Sequence, residues 1–459
     1  MPSGPWPAST PPRPGSSSSP AGPRPSPSAP AKWTVPKLRP SGSSTAPPAA
    51  SSSSARSSAR SSWQWRNSPC ELSLRLSFRT SRTRREPLNQ GTLRLSSFFR
   101  ILSCLGLLAT LVLPPALAGR AALPPHEAQF YSKLSGGSVR CELCPRRCVI
   151  ASGRRGFCRV RENRGGRLYS LVYGRPCSMN KEPIEKAPFF HFLPGRQRLT
   201  LATVGCNQRC KYCQNWEISQ TAPEAVPADT LAPEQVVAIA RRESLPVICF
   251  TYTEPMVFYE YMSDIARLAR AAGIRTAVVT GGYINPEPLR RLCKLVDAIK
   301  IDLKGFTEDF YADVCGSSLQ PVLEACRTVA KAGTHLELVN LVVPALNDDS
   351  TSLAAMCRWI ADSLGDTVPL HFTRFHPNYR LMNTPPTPLA TLEQAAAIAR
   401  RSGLRFVYIG NVPGHEKENT RCPGCNRFVV RRRGFTVLEN RVGSGTCPYC
   451  GTRIPGIWQ

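Results

Sequence analysis

Short apolar runs alternate with amphipathic stretches from residue 198 to residue 412. Seven of the runs are apolar enough to be buried strands: 199–204, 247–252, 276–280, 298–303, 336–343, 370–374 and 406–409. Six stretches between them have apolar residues at helical spacing: 233–242, 259–272, 288–295, 321–332, 352–364 and 392–402. Strands that alternate with helices in this way predict an α/β fold with a parallel sheet and right-handed crossovers.

The first 118 residues have a different pattern. Residues 1–97 are rich in Ser, Pro, Ala and Arg and show no period that could form a buried face, so we expect a disordered tail. Residues 98–118 contain an uncharged apolar run that ends in Ala116-Leu117-Ala118, which is typical of a secretory signal or a short membrane anchor. The tail also resembles an organelle transit peptide, but we favour a translation start that has been assigned too far upstream.

The rest of the chain divides into three predicted parts. Residues 119–197 form a Cys-rich N-terminal module, residues 198–412 form the α/β domain, and residues 413–459 form a second small Cys-rich module. The 19 cysteines of the chain cluster at short spacings, which favours metal or redox chemistry over a disulfide framework.

The formal net charge of +28 comes from 59 Lys and Arg residues and 31 Asp and Glu residues. Such an excess is typical of nucleic-acid binding. However, residues 1–118 carry 15 of the basic residues and two acidic ones, Glu71 and Glu86. Much of the remaining excess is Arg beside cysteines, whose thiolates carry the opposite charge. The charge therefore does not require a nucleic-acid partner.

The strongest chemical signal is the CxxxCxxC pattern of Cys206, Cys210 and Cys213, directly after a predicted strand. Three thiolates at this spacing can bind a 4Fe-4S cluster, which normally takes four cysteines. One iron then stays open for a substrate, as in a catalytic metal site. A structural zinc loop is the alternative, but zinc sites usually supply four ligands.

Two further groups of four cysteines have metal-ligand spacing. The first group, which could hold a structural zinc ion or an auxiliary iron–sulfur cluster, is Cys141, Cys144, Cys148 and Cys158. The second group forms two CxxC pairs that predict a zinc ribbon, with rubredoxin-like iron as the less favoured alternative: Cys422, Cys425, Cys447 and Cys450. Most other cysteines, Cys315 among them, lie in apolar patterns and are predicted to be buried small side chains.

Several motifs around the CxxxCx(aromatic)C sequence occur together in one known family. They are PIEK at 183–186, HFLPG at 191–195, TYTEP at 251–255, GYINPEP at 282–288, IDLKGF at 301–306, NVPGH at 411–415 and IPGIW at 454–458. Over residues 126–459 the chain resembles the radical S-adenosylmethionine (SAM) enzyme of the AmmeMemoRadiSam system, a relative of the pyruvate formate-lyase activating enzymes. The resemblance implies a full or partial TIM-type (β/α) barrel of the radical SAM superfamily.

The resemblance also implies an activity. A 4Fe-4S cluster on Cys206, Cys210 and Cys213 would cleave SAM reductively to a 5′-deoxyadenosyl radical, which abstracts hydrogen from an unknown substrate. Kinship favours activation of a glycyl-radical enzyme, and modification of RNA or of a small molecule is the alternative. A non-catalytic metal-binding or electron-relay protein is the alternative from another class.

Cofactor-binding roles are implied for polar residues in the cluster loop and at predicted strand ends: Tyr212, Thr253, Glu254, Thr280, Asp302, Lys304, Glu337, Asn340 and Asn411. Thr253 and Glu254 would bind the methionine amino group, and Lys304 would offset the SAM carboxylate. Glu337 and Asn340 would contact the ribose.

Three of these residues have other implied roles. Asp302 would lie near the sulfonium or position the substrate, while Tyr212 and Asn411 would contact the adenine. One departure matters, because relatives usually have Thr-Asn-Gly where this chain has Thr280-Gly281-Gly282. The loss of the amide side chain puts that SAM contact in doubt.

The implied partners are a one-electron donor of the flavodoxin or ferredoxin type and companion proteins of the Memo and Amme types. A cytoplasmic location is predicted for the catalytic part, because SAM and low-potential electron donors are cytoplasmic and cluster sites favour a reducing compartment.

Overall fold

The computed structural model describes residues 123–459. The predictions for residues 1–97 and 98–118 lie outside these residues. Within the described range, no helix combines the length and the apolar character that crossing a membrane requires.

The N-terminal part consists of two small antiparallel sheets, each with three strands. The strands are β1 (His126–Glu127), β2 (Tyr131–Lys133), β3 (Val139–Cys141), β4 (Val149–Ile150), β5 (Arg161–Arg164) and β6 (Arg167–Ser170). One sheet has the order β1-β6-β5 and the other the order β2-β3-β4. These strands are too short to bury a large core of their own, and their apolar side chains join the core of the α/β domain.

Eight strands that lie side by side in chain order form the central sheet. They are β7 (Ser178–Pro183), β8 (Gln197–Ala202), β9 (Val247–Phe250), β10 (Arg275–Thr280), β11 (Ala298–Asp302), β12 (His335–Val342), β13 (Leu370–Arg374) and β14 (Val407–Gly410). Strands β8 to β14 are parallel, and β7 is antiparallel to β8 at one edge.

Helices connect the parallel strands. They are α1 (Trp216–Ser219), α2 (Pro233–Arg242), α3 (Tyr259–Ala271), α4 (Pro286–Cys293), α5 (Glu308–Phe310), α6 (Gln320–Ala332), α7 (Ser350–Leu364) and α8 (Leu389–Arg401). All seven predicted strands and all six predicted helices are confirmed, with small shifts at their ends. The short helices α1 and α5 were not predicted, because three or four residues cannot show a helical period.

The sheet differs from the prediction at its edges. Strand β7, assigned to the N-terminal module from the sequence, pairs with β8 along its whole length. Strands β7 and β14 do not pair with each other within residues 123–459, so a closed barrel is not shown. The structure has an α/β fold with a largely parallel central sheet.

The C-terminal part is a three-stranded antiparallel sheet, β15 (Thr420–Arg421), β16 (Phe428–Arg433) and β17 (Thr436–Asn440). It is attached to the turn that precedes β8, where the buried Arg432 Nη2 donates to the Phe190 carbonyl oxygen at 2.8 Å. The backbone N–H of Ile457 donates to the His191 carbonyl oxygen at 2.8 Å. Because this turn precedes the first parallel strand, the module lies at the amino edge of the parallel sheet.

Candidate functional site

Cys206, Cys210 and Cys213 lie on the loop that follows β8, the first parallel strand. The carboxyl ends of parallel strands share one edge, so this loop meets the segments that follow the next strands. The backbone N–H of Glu254, after β9, donates to the Gly205 carbonyl oxygen at 3.4 Å. Cys210 is buried, and the other two cysteines are partly buried.

Hydrogen bonds reach the sulfurs from within the loop. The backbone N–H of Gln208 donates to Cys206 Sγ at 3.3 Å, and Cys213 Sγ lies 3.3 Å from the Ser219 hydroxyl. Burial raises the pKa of Cys206 well above the ordinary value of a thiol. A metal that binds here must therefore displace a proton.

The spread of the three sulfurs fits a cluster better than a single ion. They do not form a group whose sulfurs all lie within 4.8 Å of one another. In a tetrahedral zinc site, a Zn–S bond of about 2.3 Å puts the sulfurs about 3.8 Å apart. Ligands of an iron–sulfur cube are more widely spaced because each binds a different iron. The donor set and its spread thus fit the predicted 4Fe-4S cluster.

Asp302 and Lys304 lie beside this loop. Lys304 Nζ donates to Asp302 at 3.1 Å, and Lys300 Nζ donates to the other carboxylate oxygen at 2.5 Å. Burial alone would raise the pKa of Asp302, but the two ammonium groups outweigh it and lower the pKa to about 2. A hydrogen bond that the Cys210 thiol donates to Cys315, together with burial, raises the pKa of Cys210, and the charge of Lys304 acts in the opposite direction. A cation is thus held within electrostatic reach of the cluster loop.

Sequence reasoning missed the position of Cys315. It ends a π-helical turn after α5, and its thiol interacts with Cys210 and lies 3.7 Å from the Tyr212 hydroxyl oxygen. Its backbone carbonyl accepts from the Arg209 N–H at 2.8 Å. Cys315 is buried as predicted, but it supports the cluster loop directly and is more than a core side chain.

Glu254, Thr280 and Gly281 form one hydrogen-bonded group next to the loop. The buried Glu254 carboxylate accepts from the Thr280 hydroxyl at 2.6 Å and from the Gly281 N–H at 2.9 Å. Burial raises the pKa of Glu254, and this effect outweighs the lowering of the pKa by these two hydrogen bonds. The Thr253 hydroxyl donates to the Thr203 carbonyl oxygen at 2.7 Å. The structure therefore joins three predicted site residues, Thr253, Glu254 and Thr280, at one edge of the sheet.

The space above Gly281 is filled by an amide from another segment. A Cβ atom at Gly281 would lie 2.1 Å from Gln208 Oε1, so a larger residue would displace that side chain. Gln208 is buried, and its Nε2 donates to the Ser317 hydroxyl at 2.9 Å. Gln208 thus places an amide where residue 281 cannot supply one. Gln208 and Gly281 are far apart in the sequence, so the sequence pattern alone did not reveal their contact.

The two predicted asparagines differ in their surroundings. Asn340 on β12 is buried, and its Nδ2 donates to the Leu303 carbonyl oxygen at 2.8 Å. Its Oδ1 is buried and has no hydrogen-bond partner among the described residues. Asn411 follows β14 with a φ of 60°, is exposed, and donates to the Arg374 carbonyl oxygen at 3.0 Å. Asn340 therefore offers a free buried acceptor, whereas Asn411 lies at the surface.

Glu337 is not brought together with the other candidates. It lies in the amino-terminal half of β12, where its carboxylate accepts from the backbone N–H groups of Phe190 and His191 at 3.0 and 2.8 Å. His335 and His371 also bond to it, at 3.0 and 2.7 Å. Burial would raise the pKa of Glu337, but the two histidines hold it well below its usual range. These contacts favour a structural role, and the ribose contact stays a prediction.

The C-terminal cysteines Cys422, Cys425, Cys447 and Cys450 form a compact group. Their four sulfurs all lie within 4.8 Å of one another. The Cys422–Cys450 and Cys425–Cys447 sulfur pairs are 3.5 and 3.7 Å apart, close to the separation expected in a tetrahedral site with sulfur ligands. The four N-terminal cysteines, by contrast, line a single cavity next to the cluster loop.

Gly205 lets the cluster loop approach the N-terminal part closely. Its φ is 106°, and a Cβ atom there would lie 2.6 Å from Val160 Cγ1 and 3.1 Å from the Cys158 carbonyl oxygen. We expect Gly205→Ala to lower the free energy of unfolding by about 1–3 kcal/mol and to reduce the iron bound per chain.

Gly273→Ala is the matched control, because Gly273 also has a positive φ but has open space around it. It should retain the iron content of the wild type. Urea unfolding and iron analysis of both variants check the prediction. Equal iron content in the two variants would show that close packing at Gly205 does not matter.

These features define a protein suited to hold an iron–sulfur cluster at the carboxyl edge of a parallel sheet, beside acidic and basic groups. Residues 200–357 match the radical SAM superfamily. These residues therefore form a radical SAM domain.

Two relatives match longer parts of the chain. An uncharacterized protein of Methanocaldococcus jannaschii is 48% identical over 331 residues, which cover 72% of this chain and 98% of that protein. The pyruvate formate-lyase 1-activating enzyme of Escherichia coli is 22% identical over 219 residues, which cover 44% of this chain and 89% of the enzyme.

Among solved structures, a radical SAM methyltransferase from Sphaerobacter thermophilus matches with a TM-score of 0.38 and 18% identity. The match covers 48% of this chain and 68% of that one.

Proposed function

We propose that this protein is a radical SAM enzyme that generates a 5′-deoxyadenosyl radical and uses it to abstract hydrogen from a substrate. The observation that carries the proposal is the meeting of the three-cysteine loop with Glu254 and Lys304 at one edge of the sheet. When bound to Cys206, Cys210 and Cys213, a reduced 4Fe-4S cluster supplies one electron that cleaves SAM into methionine and the radical.

The surrounding residues have separate tasks in this proposal. Glu254, held by Thr280 and Gly281, accepts the methionine ammonium group of SAM, with Thr253 beside it. Lys304 offsets the SAM carboxylate while Asp302 fixes its position. The free Asn340 Oδ1 suits a hydroxyl donor such as that of a ribose.

Adenine contacts are assigned to Tyr212 and Asn411. Tyr212 is buried in the cluster loop, and Asn411 follows the last strand of the sheet.

For the substrate we propose a glycyl-radical enzyme, and we place the chain in the AmmeMemoRadiSam system. Sequence similarity to the pyruvate formate-lyase activating enzymes supports the first, and the motifs shared over residues 126–459 support the second. The partners proposed are a one-electron donor of the flavodoxin or ferredoxin type and proteins of the Memo and Amme types. The need for SAM and a low-potential donor supports a cytoplasmic location.

The experiment uses the full chain, reconstituted with iron and sulfide without oxygen and then mixed with dithionite and SAM. We expect 5′-deoxyadenosine and methionine in equal amounts, measured by liquid chromatography. A protein that binds its full complement of iron but forms no 5′-deoxyadenosine would contradict SAM chemistry. A peptide from a glycyl-radical enzyme should add a glycyl radical signal in electron paramagnetic resonance (EPR), whereas turnover with RNA or a small molecule alone would favour those substrates.

We also propose that the C-terminal quartet holds structural zinc. Wild-type protein should contain about one zinc per chain, and Cys447→Ser should lose it and unfold at a lower temperature. Cys357→Ser, at a buried cysteine of α7, is the control and should keep the zinc. Metal analysis by mass spectrometry would contradict the proposal if iron replaced zinc in the wild type or if Cys447→Ser kept its zinc.

A further inference from the structure

Four cysteines of the N-terminal part line one cavity that the proposed SAM chemistry does not use. They are Cys141, Cys144, Cys148 and Cys158, and they come from the end of β3, the turn after it and the segment before β5. The rest of the lining includes the side chains of Arg146, Arg161 and Asn207. All four cysteines are free thiols.

The spread of these sulfurs argues against a single zinc ion. Within residues 123–459, the C-terminal quartet is the one group of three or more possible ligand atoms that all lie within 4.8 Å of one another. No three of the N-terminal sulfurs are that close. They resemble in this respect Cys206, Cys210 and Cys213, called here the SAM-site triad. In the radical SAM superfamily, these three cysteines bind an iron–sulfur cube. The same reasoning from Zn–S geometry therefore favours a cluster at the N-terminal site.

Two of the four sulfurs accept hydrogen bonds. The Phe157 N–H donates to Cys148 Sγ at 3.5 Å, and Arg161 Nη1 donates to Cys141 Sγ at 4.0 Å. Donors to ligating sulfurs are typical of iron–sulfur sites, where they stabilise the anionic cluster and set its potential.

Two positively charged guanidinium groups line the cavity, which suits an anionic cluster. Arg161 is 1% exposed and forms an ion pair with the fully buried Glu260 at 2.5 Å. Its Nε has no hydrogen-bond partner among the described residues, although the side chain lines the cavity. A second guanidinium, that of Arg146, lines the same cavity. An anionic group in the cavity would provide the missing partner for a buried donor.

The cavity also adjoins the loop that carries the SAM-site triad. Asn207, which lines the cavity, directly follows Cys206. The Arg146 Nε donates to the Asn207 carbonyl oxygen at 2.6 Å, and Arg209 Nη2 donates to the Phe157 carbonyl oxygen at 2.6 Å. The two cysteine sites are therefore joined by a few direct contacts.

We propose that Cys141, Cys144, Cys148 and Cys158 bind a second 4Fe-4S cluster. With four cysteine ligands the cluster has no open iron, so it takes up one electron from a low-potential donor and returns to its oxidised state by passing that electron on. The SAM-site cluster is the acceptor. This relay role rests on the proposed function, but the presence of the cluster does not.

The test isolates the second site by removing the first. The full chain with Cys206→Ala, Cys210→Ala and Cys213→Ala is reconstituted with iron and sulfide without oxygen. We expect about eight iron per wild-type chain and about four iron with four sulfide in this variant, together with an EPR signal after reduction by dithionite. A folded variant without iron, with iron but no sulfide, with about two iron, or with zinc in the cavity would overturn the proposal.

A second variant keeps the proposal testable if the first does not fold. The full chain with Cys141→Ser, Cys144→Ser, Cys148→Ser and Cys158→Ser should contain about four iron instead of about eight, whereas unchanged iron would overturn the proposal. Cys293→Ala with Cys357→Ala, at cysteines outside all three groups, is the matched control and should keep about eight. A wild type that forms no 5′-deoxyadenosine would count against the proposed function alone, because the iron contents report the second site independently.

Discussion

Replacement of Cys206 by Ala is expected to lower the yield of 5′-deoxyadenosine from SAM by more than about 100-fold. Loss of a group that merely supports a metal ligand costs about 10–100-fold in metal affinity or activity, and Cys206 is predicted to be a ligand itself. Its sulfur already receives the Gln208 N–H, so the loss also leaves a buried donor without its acceptor.

The control for this experiment is Cys293→Ala. Cys293 is a buried cysteine of α4 and belongs to none of the three cysteine groups. It should retain wild-type turnover, since removal of one sulfur from the helix changes packing but no metal ligand. Turnover by Cys206→Ala within about threefold of the Cys293→Ala rate would show that the triad does not carry the chemistry.

Replacement of Glu337 by Leu is expected to reduce the free energy of unfolding by about 3–5 kcal/mol. The carboxylate is fully buried and joins two backbone N–H groups, of Phe190 and His191, to the imidazoles of His335 and His371. Its removal leaves these four donors without an acceptor in the interior. The turn that carries the C-terminal module would lose its link to the sheet.

Urea unfolding at constant metal content measures this effect. Glu324→Leu is the matched control, because Glu324 is half exposed and its ion pair with Arg327, at 3.9 Å, is worth at most about 1 kcal/mol. The loss of unfolding free energy in Glu337→Gln should lie between those in Glu337→Leu and Glu324→Leu, since an amide oxygen can still accept from some of the four donors. A loss below about 1 kcal/mol in Glu337→Leu would refute the structural role, and a selective loss of SAM affinity without a loss of stability would restore the ribose assignment.

The order of strands and helices could be predicted because each depends on neighbours in sequence. A buried parallel strand such as β9 is apolar throughout, and a helix such as α3 has its apolar residues on one face, so a window of a few residues contains the signal. Strand β7 could not be assigned to the sheet in this way. Its residues SMNKEP have little apolar content, and it is held by its hydrogen bonds to β8.

The sequence by itself determined the three cysteine groups and the cluster loop, because ligands on one turn are set by spacing along the chain. The tertiary structure alone decided which distant side chains complete the site. Cys315 lies against Cys210, and Gln208 fills the space above Gly281. It also separated Glu337 from Asn340, two residues of one strand whose side chains point to opposite faces of the sheet. These relations depend on strand register and on the close packing of segments far apart in the chain, which no local pattern encodes.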